Sequence, residues 1–420
     1  MKRYILVACA LFYAFVAVVA QDYADMIREN PAMGAANLMN YHYEKSAYTP
    51  APKGYDPFYI SHYGRHGSRY DADDDYAKVV WPVMKAADSL GLFTEAGKSF
   101  YKDFNEVMEE QDGMFGMLTS LGAMEHRGIA ERMVRNFPEV FEGKDGRCRI
   151  FCQSSMAPRC LLSMTNFTHS LDRCTGNLDF SFVAGDKYQD YLAYRSAKKK
   201  ALALARAKED SLRRQVMKPM EILEHFFNDT QVICDLAGDP YVFERCLYLA
   251  SCVGHLSDYG VCLLAHFPLD ILVRNWEIRN PRFYLAYGMS DEMAEEQKQV
   301  SRRLLKDFIM RAEAAVEKKH EVAADLRFGH DTALLPFVGH IAIEGMDNWV
   351  SFDRVNSVWN SSVSICMGSN IQMIFYRNRT DDVLVKLMYN EKETTIPALQ
   401  TFSGPYYRWS DLKEYLNGLL

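Results

Sequence analysis

The stretch Tyr59-Ile60-Ser61-His62-Tyr63-Gly64-Arg65-His66-Gly67-Ser68-Arg69-Tyr70 sets one imidazole between two arginines, with a glycine close on either side. Guanidinium groups hold oxyanions through charge-assisted, often bidentate, hydrogen bonds. A neutral imidazole inside such a cradle can be the nucleophile toward the anion it holds. Residues 58–63 read as a β-strand ending in a sharp glycine turn. In open α/β sheets ligands gather at the carboxyl ends of strands, where turn amides and helix N-termini favour negative charge. Two later segments repeat the form. Residues 149–152 read as a strand that runs into Ser154-Ser155-Met156-Ala157-Pro158-Arg159 and then a helical pattern over 160–171. Residues 322–328 read as a strand delivering Gly329-His330-Asp331-Thr332, with a helix opening at 333–337. One sheet edge would thus collect His66, Arg65, Arg69, Arg159, His330 and Asp331.

The elements that must position them follow from periodicity. Helical spacing covers 76–90, 100–110 and a segment ending near Phe137, for which Thr119 or Ser120 is the N-cap. Residues 178–183 are a third strand, 293–321 a long amphipathic helix, 370–376 and 383–388 late strands, and 406–420 a closing helix. Strands alternating with helices predict an α/β fold, a mainly parallel sheet flanked by helices. Between 187 and 284 strand signals are sparse, and helical patterns occupy 197–217, 220–227, 242–255 and 259–266. This predicts a helical cap insertion in a discontinuous core of residues 21–186 and 285–420. Residues 21–54, with Pro31, Pro50 and Pro52, read as an arm with one short helix lying over the domain.

The chain of 420 residues exceeds the usual size of a single core. Its formal charge of −7 argues against a nucleic-acid or membrane-surface protein, while a few clustered arginines can still control an anionic pocket. Lys2 and Arg3, the apolar run 4–19 and small residues before Gln21 form a secretory signal peptide over 1–20, so the mature protein is expected to be soluble and periplasmic or secreted. Losing Lys2 and Arg3 takes the charge from −7 to −9. Leu6-Val7-Ala8-Cys9 is a poor lipobox, since apolar residues continue past the cysteine. Ten cysteines occur and Cys9 leaves with the leader; the remaining nine fall as four between Cys148 and Cys174, four between Cys234 and Cys262, and Cys366 alone. An exported destination permits disulfides among them without choosing a connectivity, and the odd number leaves at least one thiol without an intramolecular partner.

Taken as a set, the three turns resemble the histidine acid phosphatases, the phytase-like branch of the histidine phosphatase superfamily. Arg65-His66-Gly67-Ser68-Arg69 is similar to that family's Arg-His-Gly-x-Arg-x-Pro signature, and His330-Asp331 to its late His-Asp motif. Leu118-Thr119-x-x-Gly122 and Ser154-Ser155-x-x-x-Arg159-x-x-x-Ser163-x-x-x-Phe167 also match. The resemblance implies a phosphoglycerate-mutase-like core and an exported phosphomonoesterase acting on inositol phosphates (phytate) or sugar phosphates without a metal or cofactor. It implies that Arg65, Arg69, Arg159 and His330 hold the phosphate, His66 attacks phosphorus to give a phosphohistidine, and Asp331 is the general acid. Protonated Asp331 and neutral His66 would suit acidic to near-neutral conditions, and the surrounding cations would depress the His66 pKa. The chain departs from the signature at Asp71, where the family has proline, which bears on the loop path. Its His330-Asp331-Thr332 also differs from the His-Ala-Glu of a related inositol-polyphosphate branch and leans toward the phytase and glucose-phosphatase pattern.

Other readings compete. A narrow sugar phosphatase differs only in the cap, a mutase-type transferase fits poorly with a leader and a large insertion, and a secreted binding protein would not need the full catalytic set. His62 and His66 have the His-x-x-x-His spacing of a metal pair, but on a strand and turn they do not share a face, so His62 is expected to be a core or supporting side chain. His126-Arg127 is expected on a helix face without catalytic work. Lys198 to Lys200 could draw in a polyanion but is more simply a solvated helix face. Asp331 could serve only as a helix N-cap, or as both cap and acid.

Overall fold

The computed structural model describes residues 23–142, 148–194, 199–319, 322–347 and 349–420. The proposed leader lies outside these residues. The fold is α/β, with helices on both faces of one mixed sheet of order β3-β2-β4-β1-β5-β6-β7. Strands β1 (Asp56–Arg65), β2 (Cys148–Ser154), β3 (Leu178–Ala184) and β4 (Ala324–Gly329) make the parallel half. Strands β5 (Asn370–Arg377), β6 (Val383–Tyr389), β7 (Lys392–Thr394) and β8 (Tyr406–Arg408) extend it in antiparallel fashion, β8 pairing with β6.

Strand β1 lies inside the sheet between β4 and β5 and is buried on both faces. Its side chains alternate between two cores, as a strand's two-residue period requires. Ile60 joins a cluster with Ile150, Leu326, Phe328 and Phe167, and this cluster continues into Phe243, Leu247 and Trp276 of the helical segment. Tyr59 and Tyr63 face the opposite cluster with Phe308, Leu334, Phe337 and Phe375.

Four helices serve the site: α1 (Ser120–Asn136), α2 (Pro158–Thr175), α3 (Leu269–Tyr287) and α4 (Asp331–His340). Thr119 caps α1 as expected, its hydroxyl accepting from the Gly122 amide at 3.2 Å. Helix α3 has no counterpart in the sequence reading, because Asn275, Asn280 and Pro281 interrupt its apolar pattern although all three are buried. The boundary drawn after residue 284 falls inside this helix. Residues 259–266 give only the 3-10 turn Leu263–His266, since Gly260 adopts a φ of 69° that ends helical propagation. The closing segment begins as β8, and its helix starts at Trp409. The arm holds, besides a helix at Tyr23–Glu29, the 3-10 segment Pro31–Leu38, buried along nearly its whole length. All nine cysteines from Cys148 to Cys366 are free thiols in this structure, so none of the disulfides allowed for at the sequence level is formed.

Candidate active site

The parallel register sets Arg65 beside Gly329 and Ser154 beside Phe328, which brings the ends of β1, β4 and β2 together as the sequence predicted. The turn after β1 is braced from several sides. Its two flanking segments bond to the His66 peptide, the His66 amide donating to Gly329 O at 2.9 Å and Gly368 N to His66 O at 3.0 Å. The Gly67 amide donates to Ser163 Oγ on α2 at 3.1 Å. Helix α1 presses its N-terminal turn against the loop: a Cβ on Gly67 would lie 2.5 Å from the Gly122 carbonyl oxygen, and one on Gly122 would strike the Ser68 backbone. Thr119 Oγ1 donates to Ser68 O at 3.0 Å. Glu125, one turn further along α1, accepts from the Ser68 amide and hydroxyl, both at 2.7 Å, and from the Tyr41 amide at 2.8 Å.

His66 is buried, with its ring edge-on to His330 at a centroid separation of 5.3 Å. Its Nδ1 lies 2.9 Å from the Gly67 carbonyl oxygen. A carbonyl only accepts, so Nδ1 carries the proton and Nε2 keeps its lone pair in the neutral ring. Burial first, then Arg159, Arg65, His330 and Arg69, hold the His66 pKa well below the ordinary histidine value.

Arg65 is fully buried; one Nη donates to Asn37 O at 2.6 Å and Ile365 O at 2.7 Å, while the other meets Asp331 Oδ2 at 2.8 Å. Arg69 donates to Tyr70 O at 2.7 Å, and burial together with Arg159 brings its pKa down to about 10. Arg159, half-buried, makes one long bond to Gly116 O at 3.3 Å. The buried Nε of each of these three arginines has no hydrogen-bond partner among the described residues. The charges of all three arginines act on His66, and their unpaired N–H groups are donors suited to an oxyanion there. His330 places Nε2 3.1 Å from Ser155 Oγ and donates its backbone amide to Tyr63 Oη. Burial alone would raise the Asp331 carboxyl, but Arg65, His330, the Asn37 amide and Arg69 hold it below the usual carboxylate value. This differs from the expectation of a protonated Asp331. The N-cap of α4 is His330 and Asp331 is the first helical residue, so Asp331 is not the cap considered from sequence; its Oδ1 accepts from the Thr332 amide at 2.8 Å.

The departure at Asp71 has a local cause. Its backbone amide donates to Gln111 Oε1 at 3.2 Å, a bond proline cannot make, and its carbonyl accepts from Gly116 N at 2.5 Å. Its buried carboxyl, 3.9 Å from Arg69, is pushed up to about 6 by burial against the pull of that arginine.

Asn37, Glu125 and Arg279 were not singled out from sequence. Asn37 gave no signal in an alanine-rich arm, and Arg279 lies in the unrecognised helix α3. Glu125 could have been found from Gly122-x-x-Glu125, one turn apart on the face that meets the loop. His62 packs against Phe167 and Phe328 as a buried neutral ring, and His126 lies against the same pair, turned inward rather than on an outer face. Lys200 pairs with Glu296 at 2.6 Å and is well exposed, which matches a solvated helix face; Lys198 lies outside the described residues. No cluster of three or more metal-ligating side chains occurs among the described residues. No helix among them is long and apolar enough to cross a membrane.

No protein-family model and no curated protein sequence matches this chain. Solved structures do. The Bifidobacterium longum multiple inositol polyphosphate phosphatase, crystallised with inositol hexasulfate, superposes with a TM-score of 0.75 at 19% identity, over 91% of this chain and 97% of that one. The phytase from D. castellii gives 0.67 at 14% identity over 92% and 84%. Hafnia alvei phytase gives 0.52 at 12% identity over 88% and 98%. At these identities the likeness concerns the fold.

Proposed function

We propose that this chain is a phosphomonoesterase of the histidine acid phosphatase type, with His66 as nucleophile, Asp331 as general acid, and Arg65, Arg69, Arg159 and His330 as the phosphate cradle. The observation that carries the reading is a neutral imidazole with Nε2 unprotonated beside three arginines that keep unpaired N–H groups. His66 Nε2 attacks phosphorus in line, the P–O ester bond breaks, and the electron pair leaves on the alcohol oxygen. The arginines take up the charge on the equatorial oxygens. Because Asp331 starts ionised, its proton comes with the substrate: a phosphate monoester loses its last proton near a pKa of about 6, and the monoanion can pass that proton to Asp331. Arg65 turning toward the phosphate loosens its pairing with Asp331, which favours this transfer. Asp331 then protonates the leaving oxygen, and water cleaves the P–N bond.

Inositol phosphates and sugar phosphates are the proposed substrate classes, and the first of these is consistent with what the neighbouring structures are named for. Residues 21–186 and 285–420 remain the proposed core and 187–284 the proposed cap over the leaving group, with the second boundary moved to the end of α3 at Tyr287. Residues 1–20 are the proposed leader to the periplasm or exterior.

The test is phosphate release from p-nitrophenyl phosphate, phytate and glucose-1-phosphate. Activity is expected to rise as His66 loses its proton, well below the ordinary histidine pKa, and to fall as the monoester loses its own near about 6. His66→Ala should lose on the order of 10⁴ or more in rate while staying folded. Folded wild type inert at every pH from acidic to neutral, or an active His66→Ala, would overturn the assignment.

A further inference from the structure

Resting on the phosphatase reading, we infer that Asn37 is a positioning residue for the acid step: its carboxamide holds the Asp331 carboxyl in line for the leaving group and sets when that carboxyl takes its proton.

Asn37 meets three charged groups of the site wall at once. Its Nδ2 donates to Asp331 Oδ2 at 2.9 Å, its Oδ1 accepts from Arg279 Nη2 at 3.0 Å, and its backbone carbonyl accepts from Arg65 Nη1 at 2.6 Å. A guanidinium can only donate and a carboxylate can only accept, so the two partners fix which end of the amide faces which. Asp331 Oδ2 is also the oxygen that meets Arg65. One carboxylate oxygen is therefore held by both Asn37 and Arg65, while Oδ1 accepts the Thr332 amide. When Arg65 engages a phosphate, the Asn37 amide is the side-chain hydrogen bond that remains to aim the carboxyl.

The backbone is shaped to this end. Ala36, with no exposed surface, adopts φ 56° and ψ −130°, a conformation unfavourable for any residue with a Cβ. Asn37, the next residue after that kink, presents its side chain to Asp331 and Arg279 and its carbonyl to Arg65. Surrounding elements hold it in place. Tyr248 Oη donates to Gly34 O at 2.5 Å, Ser362 Oγ to Met33 O at 2.6 Å, and the Met367 amide to Met39 O at 2.8 Å.

The test compares leaving groups. p-Nitrophenolate departs without a proton, whereas an alkoxide needs one. Intact Asn37→Ala is expected to lose about 10²-fold in kcat on glycerol phosphate and less than about threefold on p-nitrophenyl phosphate. A merely structural role would lower both alike. Asn37→Asp, nearly isosteric, keeps the acceptor for Arg279 but replaces the donor with a second carboxyl. Neighbouring carboxylates cannot both ionise freely. With a proton held on the carboxyl pair rather than brought by the substrate, activity on glycerol phosphate should persist about one pH unit above the alkaline limb that the monoester's own pKa sets in wild type. If Asn37→Ala fails to fold, Asn37→Asp carries the comparison. Equal losses on both substrates, or wild-type leaving-group ratios with an unmoved limb, overturn the proposal. Wild type inert toward both substrates would overturn the phosphatase reading itself, a different result.

Discussion

Arg159 and Arg65 occupy the same cradle with different duties. Arg65 is fully buried and tied to two backbone carbonyls and Asp331, so its removal strips partners from the fold as well as from the site. Arg159 is half-buried and makes one long bond to Gly116. Arg159→Ala should therefore cost about 10²–10³ in kcat/KM on any phosphate monoester, with a melting temperature close to wild type. An activity loss matched by a large drop in melting temperature would assign Arg159 to structure instead. These arginines, His66 and the His330-Asp331 pair could be read from sequence because each closes a strand in a recognisable turn. Asn37 could not. A single asparagine after Pro31-Ala32-Met33-Gly34-Ala35-Ala36 has no periodicity, and its meaning comes from partners 28, 242 and 294 residues away.

At the scale of elements, the first turn of α1 works as a mould for the loop that carries His66. Gly67 and Gly122 let two backbones approach within side-chain-free distance, and Thr119 and Glu125 close the contact on either side. Gly122→Ala would place its methyl against the Ser68 main chain, which has no rotamer by which to move aside. We expect a stability loss of about 1–3 kcal/mol and a fall in kcat of at least about 10²-fold, read by thermal melting and phosphate release. Glycine-to-alanine inside a helix ordinarily favours the helix by up to about 1 kcal/mol, so a stabilised, fully active variant would contradict this contact. Strand positions were legible because apolar and aromatic runs bounded by turns have few alternatives. Helix α3 was not, since its buried Asn275 and Asn280 satisfy partners in other segments rather than following an apolar stripe.

Across the whole molecule, several histidines are buried as neutral rings. Burial brings His126, His255 and His340 each down to about 4, and His62 and His66 also fall well below the ordinary value. Between that ordinary value of about 6.5 and about 4, the unfolded chain binds protons that the native chain refuses. Their contribution to stability is complete above about 6.5 and is lost as pH falls through this window, by on the order of 3 kcal/mol for each of the three at about 4. The melting temperature should decline steadily from neutral to acidic pH, and replacing His126 with an apolar ring such as phenylalanine should flatten that decline. A melting temperature constant across the window would contradict it. The acidic pH that suits the proposed chemistry is thus the pH at which the fold is weaker.

The bond from Asn37 to Asp331 spans 294 residues, and Tyr41 and Glu391, which also bond, are 350 apart. Strand β1 cannot complete its hydrogen bonding until β4 and β5 exist beside it. Such long-range closure slows folding, because loop entropy must be spent before distant contacts can repay it. During synthesis the proposed nucleophile emerges early and waits without its proposed acid, cradle or wall. The proposed catalysis would therefore be a late event in the life of each chain, and turnover in a cell extract would count finished molecules rather than translated ones.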